Sequence, residues 1–125
     1  MKENEISGKI IHAAIRVHTA LGPGLLEHAY KECLYSALKN DGLIVDKEKP
    51  MPLIFEDVKL DCGYRLDLLV EKKVVVEVKS VEAFNDVHMA QILTYLKLGN
   101  YALGLLINFN VALLKHGIRR VANGM

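Results

Sequence analysis

Glu77 and Lys79 interrupt an apolar run, "VVVEVKS" at 74–80, whose valines suit the interior of a sheet. Two positions apart on a strand, their side chains point to one face. A charge buried without a partner is costly or shifts its pKa, so the pair calls for a cause. Upstream, Gly63 to Val70 reads as a second strand, joined to the first by Glu71-Lys72-Lys73. A three-residue connection sets Val70 opposite Val74, and therefore Asp67 opposite Glu77 and Arg65 opposite Lys79. Directly opposed residues have Cβ atoms about 4.5–5.5 Å apart, and two carboxylates that close repel unless a cation lies between them. Mg2+ fits, with oxygen ligands at roughly 2.0–2.1 Å and several retained waters, and Mn2+ is expected to substitute. Such an ion makes water easier to deprotonate and offsets charge growing on a phosphoryl oxygen. Lys79 would orient the attacking water or neutralise the same charge. The pattern suits hydrolysis of a phosphodiester. An ion pair between Glu77 and Lys79 on a solvated face, with Asp67 paired to Arg65 or Lys79, would use the same residues structurally.

In this register Leu66, Leu68 and Val70 point the other way, with Val74, Val76 and Val78, and pack against a helix. Two further groups of residues bear on the site. In "GPGLLEHAY", Gly24, Glu27 and Tyr30 recur every third position, with Glu27 in the first turn of a helix. A carboxylate there also favours the helix dipole, which is reason enough for its presence. In "HMAQILTYLKL", His88, Gln91 and Tyr95 follow at i, i+3 and i+7, giving one helix face three polar groups. That face suits contact with a phosphate or a nucleobase, or a hydrogen-bonded contact between helix and sheet.

The elements that must carry these residues follow from periodicity. Apolar residues at helical spacing predict helices over 5–21 and 25–40, stopped by "GPG" and "NDG". Leu43 to Phe55 contains Pro50 and Pro52, so it is an edge strand or two short strands with a break. Val58 to Leu60 is a further short strand. A third helix runs through "FNDVHMAQILTYLKLGN", with Asn85 or Asp86 as N-cap and Gly99 as its stop. Tyr101 to Asn108 is an apolar strand, and Val111 to Arg120 reads as one or two terminal strands. The order ααββββαβ(β) predicts a single α/β domain over 1–125, a mixed β-sheet flanked by helices.

Composition agrees. Half of the 125 residues are apolar and 25% are charged, as expected of a water-soluble globular domain. No apolar run approaches bilayer length and the N-terminus is polar, so a cytoplasmic location is expected. Cys33 and Cys62 have neither CxxC nor zinc-ligand spacing and are expected to be free structural thiols. The formal net charge of +1 supplies no global field for nucleic acid. Contact would fall to local clusters, Lys72–Lys73 and Lys115 with Arg119–Arg120, which also serve as ordinary solvated surface.

Gly24-x-x-Glu27-x-x-Tyr30 resembles the signature of the GxxExxY family of small prokaryotic proteins. Asp67, Glu77-x-Lys79 and Gln91-x-x-x-Tyr95 resemble the motifs of the PD-(D/E)XK nuclease superfamily that includes it. The resemblance runs from about Glu5 to Asn123. It implies a restriction-endonuclease-like core in which Asp67 and Glu77 are metal-binding acids, the Val78 carbonyl a further ligand and Lys79 the catalytic lysine. Glu27 would complete the metal site. Gln91 and Tyr95 are similar to the Gln-Tyr motif of RecB-like nucleases and would meet the substrate, with Tyr30 and His88 as neighbouring contacts. His18 also fits the family pattern, without a stated role. Leu66 stands where the superfamily name has proline. The implied partner is nucleic acid, DNA ahead of RNA. A chain of 125 residues has little beyond the core to read sequence, so specificity is either low or supplied by a second copy of the chain or a partner protein. A non-catalytic module binding nucleic acid or protein on the same fold is the alternative.

Overall fold

The computed structural model describes residues 1–61 and 63–124. The chain opens with α1 (Glu3–Leu21) and α2 (Glu27–Asn40), whose apolar spacing buries Ile6, Ile10, Ala13, Ala14, Tyr30, Leu34 and Leu38. β1 (Val45–Pro50) follows, then Met51 and Pro52, then a small hairpin of β2 (Leu53–Phe55) and β3 (Val58–Leu60). The prolines thus divide this region, and five strands rather than four precede the third helix. β4 (Arg65–Val70), β5 (Val74–Lys79), α3 (Asp86–Gly99), β6 (Leu103–Asn108) and β7 (Ile118–Ala122) complete the order.

The main sheet has the order β1-β4-β5-β6-β7. Only β5 and β6 run parallel, because α3 carries the chain across between them; the other pairs are antiparallel. Helices α1 and α2 cover one face over Leu68, Val70, Val74, Val76, Val78, Leu105 and Ile107. On the other face Ile92, Tyr95 and Leu96 of α3 meet Leu66, Leu69, Val75 and Leu106. β5 and β6 are covered on both sides, which is why they read as unbroken apolar runs.

The β4–β5 register is the predicted one over three pairs, Val70 opposite Val74, Leu69 opposite Val75 and Leu68 opposite Val76. The ladder stops there and does not include the expected pairs Asp67–Glu77 and Arg65–Lys79. One expectation about faces fails. Leu66 lies with the α3 cluster, opposite to Leu68 and Val70. The pairing of β1 with β4 skips Glu48 and Asp67, and Glu48 adopts a left-handed backbone with φ 53°. This local break turns the strand over at Asp67, so simple alternation does not pass through it.

The C-terminal part also differs from expectation. Residues 114–117 form a short 3-10 turn (Leu114–Gly117), and only Ile118–Ala122 is a strand. A Cβ at Gly117 would lie 2.1 Å from the Asn108 carbonyl oxygen. Gly117→Ala is therefore expected to lower stability by about 2–3 kcal/mol, as overpacking against rigid backbone does, and a thermal melt reads the loss directly. Asn85 caps α3, as one of the two residues expected there, while the left-handed residue at its other end is Asn100 rather than Gly99. Gly99 serves close approach: a Cβ there would meet the Tyr101 ring at 2.3 Å. Cys33 is a free thiol, as expected, exposed on α2, and Cys62 lies outside the described residues. No helix among the described residues is long and apolar enough to cross a membrane.

Candidate active site

Past Leu68 and Val76 the β4–β5 ladder is closed by side chains. The Asp67 amide donates to Glu77 Oε2 at 2.8 Å, and the Val78 amide donates to Asp67 Oδ2 at 2.8 Å. Each acid thus satisfies a backbone donor of the opposite strand that would otherwise be unpaired in the interior. The two carboxylates are held in the fork between the strands, joined by reciprocal bonds rather than stacked as an ordinary cross-strand pair.

The fork is poorly solvated. Glu77 is 5% exposed and Asp67 is half-buried. Burial, then the charge of Asp67, pushes the Glu77 carboxyl up to about 8. Burial also raises Asp67, against the lowering effect of the Val78 amide and of Lys31 and Lys79. Among the described residues neither acid forms a salt bridge. Lys79 ends β5, and its charge acts on both acids. Beyond it, the buried Asn108 side chain accepts from the Val81 and Asn110 amides and donates to the Val81 carbonyl, fixing the chain after Lys79.

Glu27, the first residue of α2, is exposed and lines a cavity of about 220 Å3 with His28, Lys31, Asp67 and Val78. The structure does not gather it with the two fork acids: among the described residues, no three acidic, histidine or cysteine side chains stand close enough to hold a metal. Lys31 enters this cavity without having been anticipated. Its ammonium donates to Glu48 Oε1 at 2.8 Å, and the lysine side chain is only 13% exposed. Burial works to lower its pKa, but the Glu48 bond and the field of Asp67 hold it above the usual value. The one signal in the sequence is that Lys31 follows Glu27 by one helical turn.

On α3, Gln91 Nε2 donates to the Tyr95 hydroxyl at 3.2 Å. Burial, then Glu77, raises the Tyr95 phenol, so this pair lies near the fork. The other expected substrate contacts are engaged elsewhere. Tyr30 is fully buried, stacked on Phe109 at 4.6 Å, and its hydroxyl donates to the Gly22 carbonyl and accepts from the Leu25 amide. It fastens the loop between α1 and α2. His88 accepts from the Asn85 amide through Nδ1, completing the cap of α3. His18 is buried with Nε2 at 2.8 Å from the Val111 carbonyl, tying α1 to the chain after β6.

The basic clusters do not converge on the fork. Lys72 pairs with Asp46 and Lys73 donates to the Met1 carbonyl, both at the turn end of the hairpin, away from Lys79. Arg119 donates to the His116 and Ile118 carbonyls and lies over Phe84, and Arg120 bonds Asn4.

Residues 4–121 match the PD-(D/E)XK nuclease superfamily. The chain belongs to that superfamily. Neither a curated protein nor a solved structure matches it. The five-stranded mixed sheet flanked by helices is consistent with the superfamily's restriction-endonuclease-like fold. Nucleases of this superfamily generally use divalent metals and act on nucleic acid. The fork fits a hard cation: its two acids are oxygen donors, desolvated, mutually repelling and without a salt-bridge partner among the described residues.

Proposed function

We propose that this superfamily member is a Mg2+-dependent nuclease that hydrolyses phosphodiester bonds, with DNA ahead of RNA as substrate. Gly24, Glu27 and Tyr30 favour placing it in the GxxExxY branch. The observation that carries the reading is the fork, where two desolvated acids bind each other's strands beside Lys79.

Asp67 and Glu77 would hold the cation, with the Val78 carbonyl and Glu27 as further donors. A bound divalent ion there supplies Lewis-acid activation of water and charge stabilisation. The backbone amides of Asp67 and Val78 keep the two carboxylates aimed, as supporting bonds do for metal ligands generally. The Lys79 ammonium orients the attacking water and neutralises charge on the phosphoryl oxygen. Lys31, restrained by Glu48, adds a second positive charge on the α2 side and steadies Asp67 as a carboxylate. Glu27 stands at the cavity mouth, exposed and free to move by rotamer change.

A calorimetric Mn2+ titration tests this without a known substrate. Wild type should bind the ion, and Asp67→Asn should weaken binding at least tenfold while retaining its circular dichroism. That no third metal-ligating side chain joins the two fork acids among the described residues favours a second reading, a non-catalytic nucleic-acid module. If neither protein binds Mn2+ and oligonucleotides are retained without metal, that second reading replaces the first.

A further inference from the structure

The segment between β1 and β4 leaves the main sheet and returns, closed at its base by the Met51 amide donating to the Tyr64 carbonyl at 2.7 Å. Leu53, which opens β2, and Tyr64, just before β4, stand beside α3. Between them is a cavity of about 230 Å3 lined by Leu53, Tyr64, Gln91, Thr94, Tyr95 and Leu98. It is smaller than the roughly 300–1,000 Å3 typical of sites for drug-sized ligands.

The lining has a definite chemistry. Tyr64 and Tyr95 contribute two aromatic rings, and Leu53 and Leu98 contribute aliphatic surface. The Tyr95 hydroxyl accepts from Gln91 Nε2 and so keeps its own hydrogen to donate. Gln91 Oε1 has no donor among the described residues, which leaves an acceptor beside that hydrogen. Thr94 is turned to the Ala90 carbonyl, 2.9 Å from its hydroxyl. No charged side chain lines the cavity, so it is not built for a phosphate. A small, flat, uncharged ring with donors and acceptors on its edge fits all of these features. Tyr95 also connects the cavity to the fork, since it packs in one cluster with Leu66, next to Asp67, and Val75, two residues before Glu77 on β5.

We propose that this cup between the hairpin and α3 receives one unpaired nucleobase, adjacent in the strand to the phosphate held at the fork. The protein then acts on single-stranded or frayed nucleic acid in preference to closed duplex. Inside a duplex both faces of a base are stacked and its edge is paired, so only an extruded or unpaired base can enter. This inference rests on the nuclease reading and narrows its substrate. Tyr64 is the diagnostic residue. It is 46% exposed and bonds the fold through its backbone, so its ring is available for stacking and dispensable for folding.

The test is fluorescence anisotropy of a fluorescein-labelled 15-nucleotide single strand and of its blunt duplex, with Ca2+ present. Wild type should bind the single strand about tenfold more tightly than the duplex, the effect expected of one stacked base. Tyr64→Ala should lose that advantage and Tyr64→Phe should keep it, with duplex binding unchanged in both. An abasic strand of equal length should bind wild type only as well as the normal strand binds Tyr64→Ala. Equal binding of strand and duplex, or a Tyr64→Ala variant with undiminished affinity for the single strand, overturns the cup while leaving the nuclease reading in place. Absence of binding to every oligonucleotide, together with absence of Mn2+ binding, overturns both.

Discussion

Replacing Glu77 with glutamine will stabilise the metal-free protein at pH 8 and abolish its response to divalent cations. The folded protein holds the Glu77 carboxyl up to about 8, against an ordinary value of 4.5, because burial and Asp67 disfavour the anion. Between those values the native state binds a proton that the unfolded chain has released. Stability is therefore full at the acid end of the window, falls as pH rises toward 8, and is level beyond it. At about 1.4 kcal/mol per pH unit, and discounted because Asp67 titrates with it, the loss between pH 5 and 8 is on the order of 2–3 kcal/mol. Glutamine cannot ionise, yet its carbonyl oxygen can still accept from the Asp67 amide. Thermal melts of both proteins at pH 5 and pH 8 without metal check this. The variant should match wild type at pH 5 and exceed it at pH 8. Mn2+ should raise the wild-type midpoint by mass action and leave that of Glu77→Gln unmoved. A variant less stable than wild type at pH 8 would mean that the buried carboxylate is compensated by groups other than a cation.

Removing the Lys79 ammonium produces the largest expected change in activity. Lys79→Ala should slow metal-dependent cleavage of a labelled oligonucleotide about a hundred- to a thousandfold, the range for deleting one group that stabilises transition-state charge. The fold should persist. Lys79 is held in β5 by its backbone, paired with Asn108 of β6, and its carbonyl accepts from the Phe109 amide. Its side chain makes no hydrogen bond among the described residues, so truncation strands no buried partner. Mn2+ affinity should change little or rise slightly, because a positive neighbour of the acids has been removed. Loss of cleavage with intact Mn2+ binding separates a role in chemistry from a role in assembling the site. Cleavage within threefold of wild type would remove Lys79 from the mechanism.

Much of the architecture was legible because its signals are local. Helical spacing located α1, α2 and α3, the prolines at 50 and 52 broke the β region, and the three-residue connection at 71–73 set the hairpin register. The residues of the fork were legible for a related reason. An acid and a lysine inside a run of valines conflict with local preference, and such conflicts gather at functional sites.

What sequence could not supply depended on contacts between distant segments. Alternation assigned Leu66 to the face of Leu68, but the break shared by Glu48 and Asp67, on different strands, reversed it. Tyr30 looked like a polar tip near the site, yet Phe109 and the Gly22 carbonyl were waiting to bury it. Lys31 was not singled out by the sequence, and only Glu48 and the cavity beside Asp67 give it a place. The base-sized cup exists only because Tyr64 and Leu53 return over α3 from 27 or more positions away in the chain. By itself the sequence determined the helices and most of the strands, the register beside the hairpin turn and the acids and lysine at its far end, since helix period, turn length and misplaced charge act over a few residues. Which faces those side chains occupy, which polar groups are already spent on the fold, and what cavity adjoins the fork were decided by tertiary structure, because burial and hydrogen-bond partners come from segments that only folding brings together.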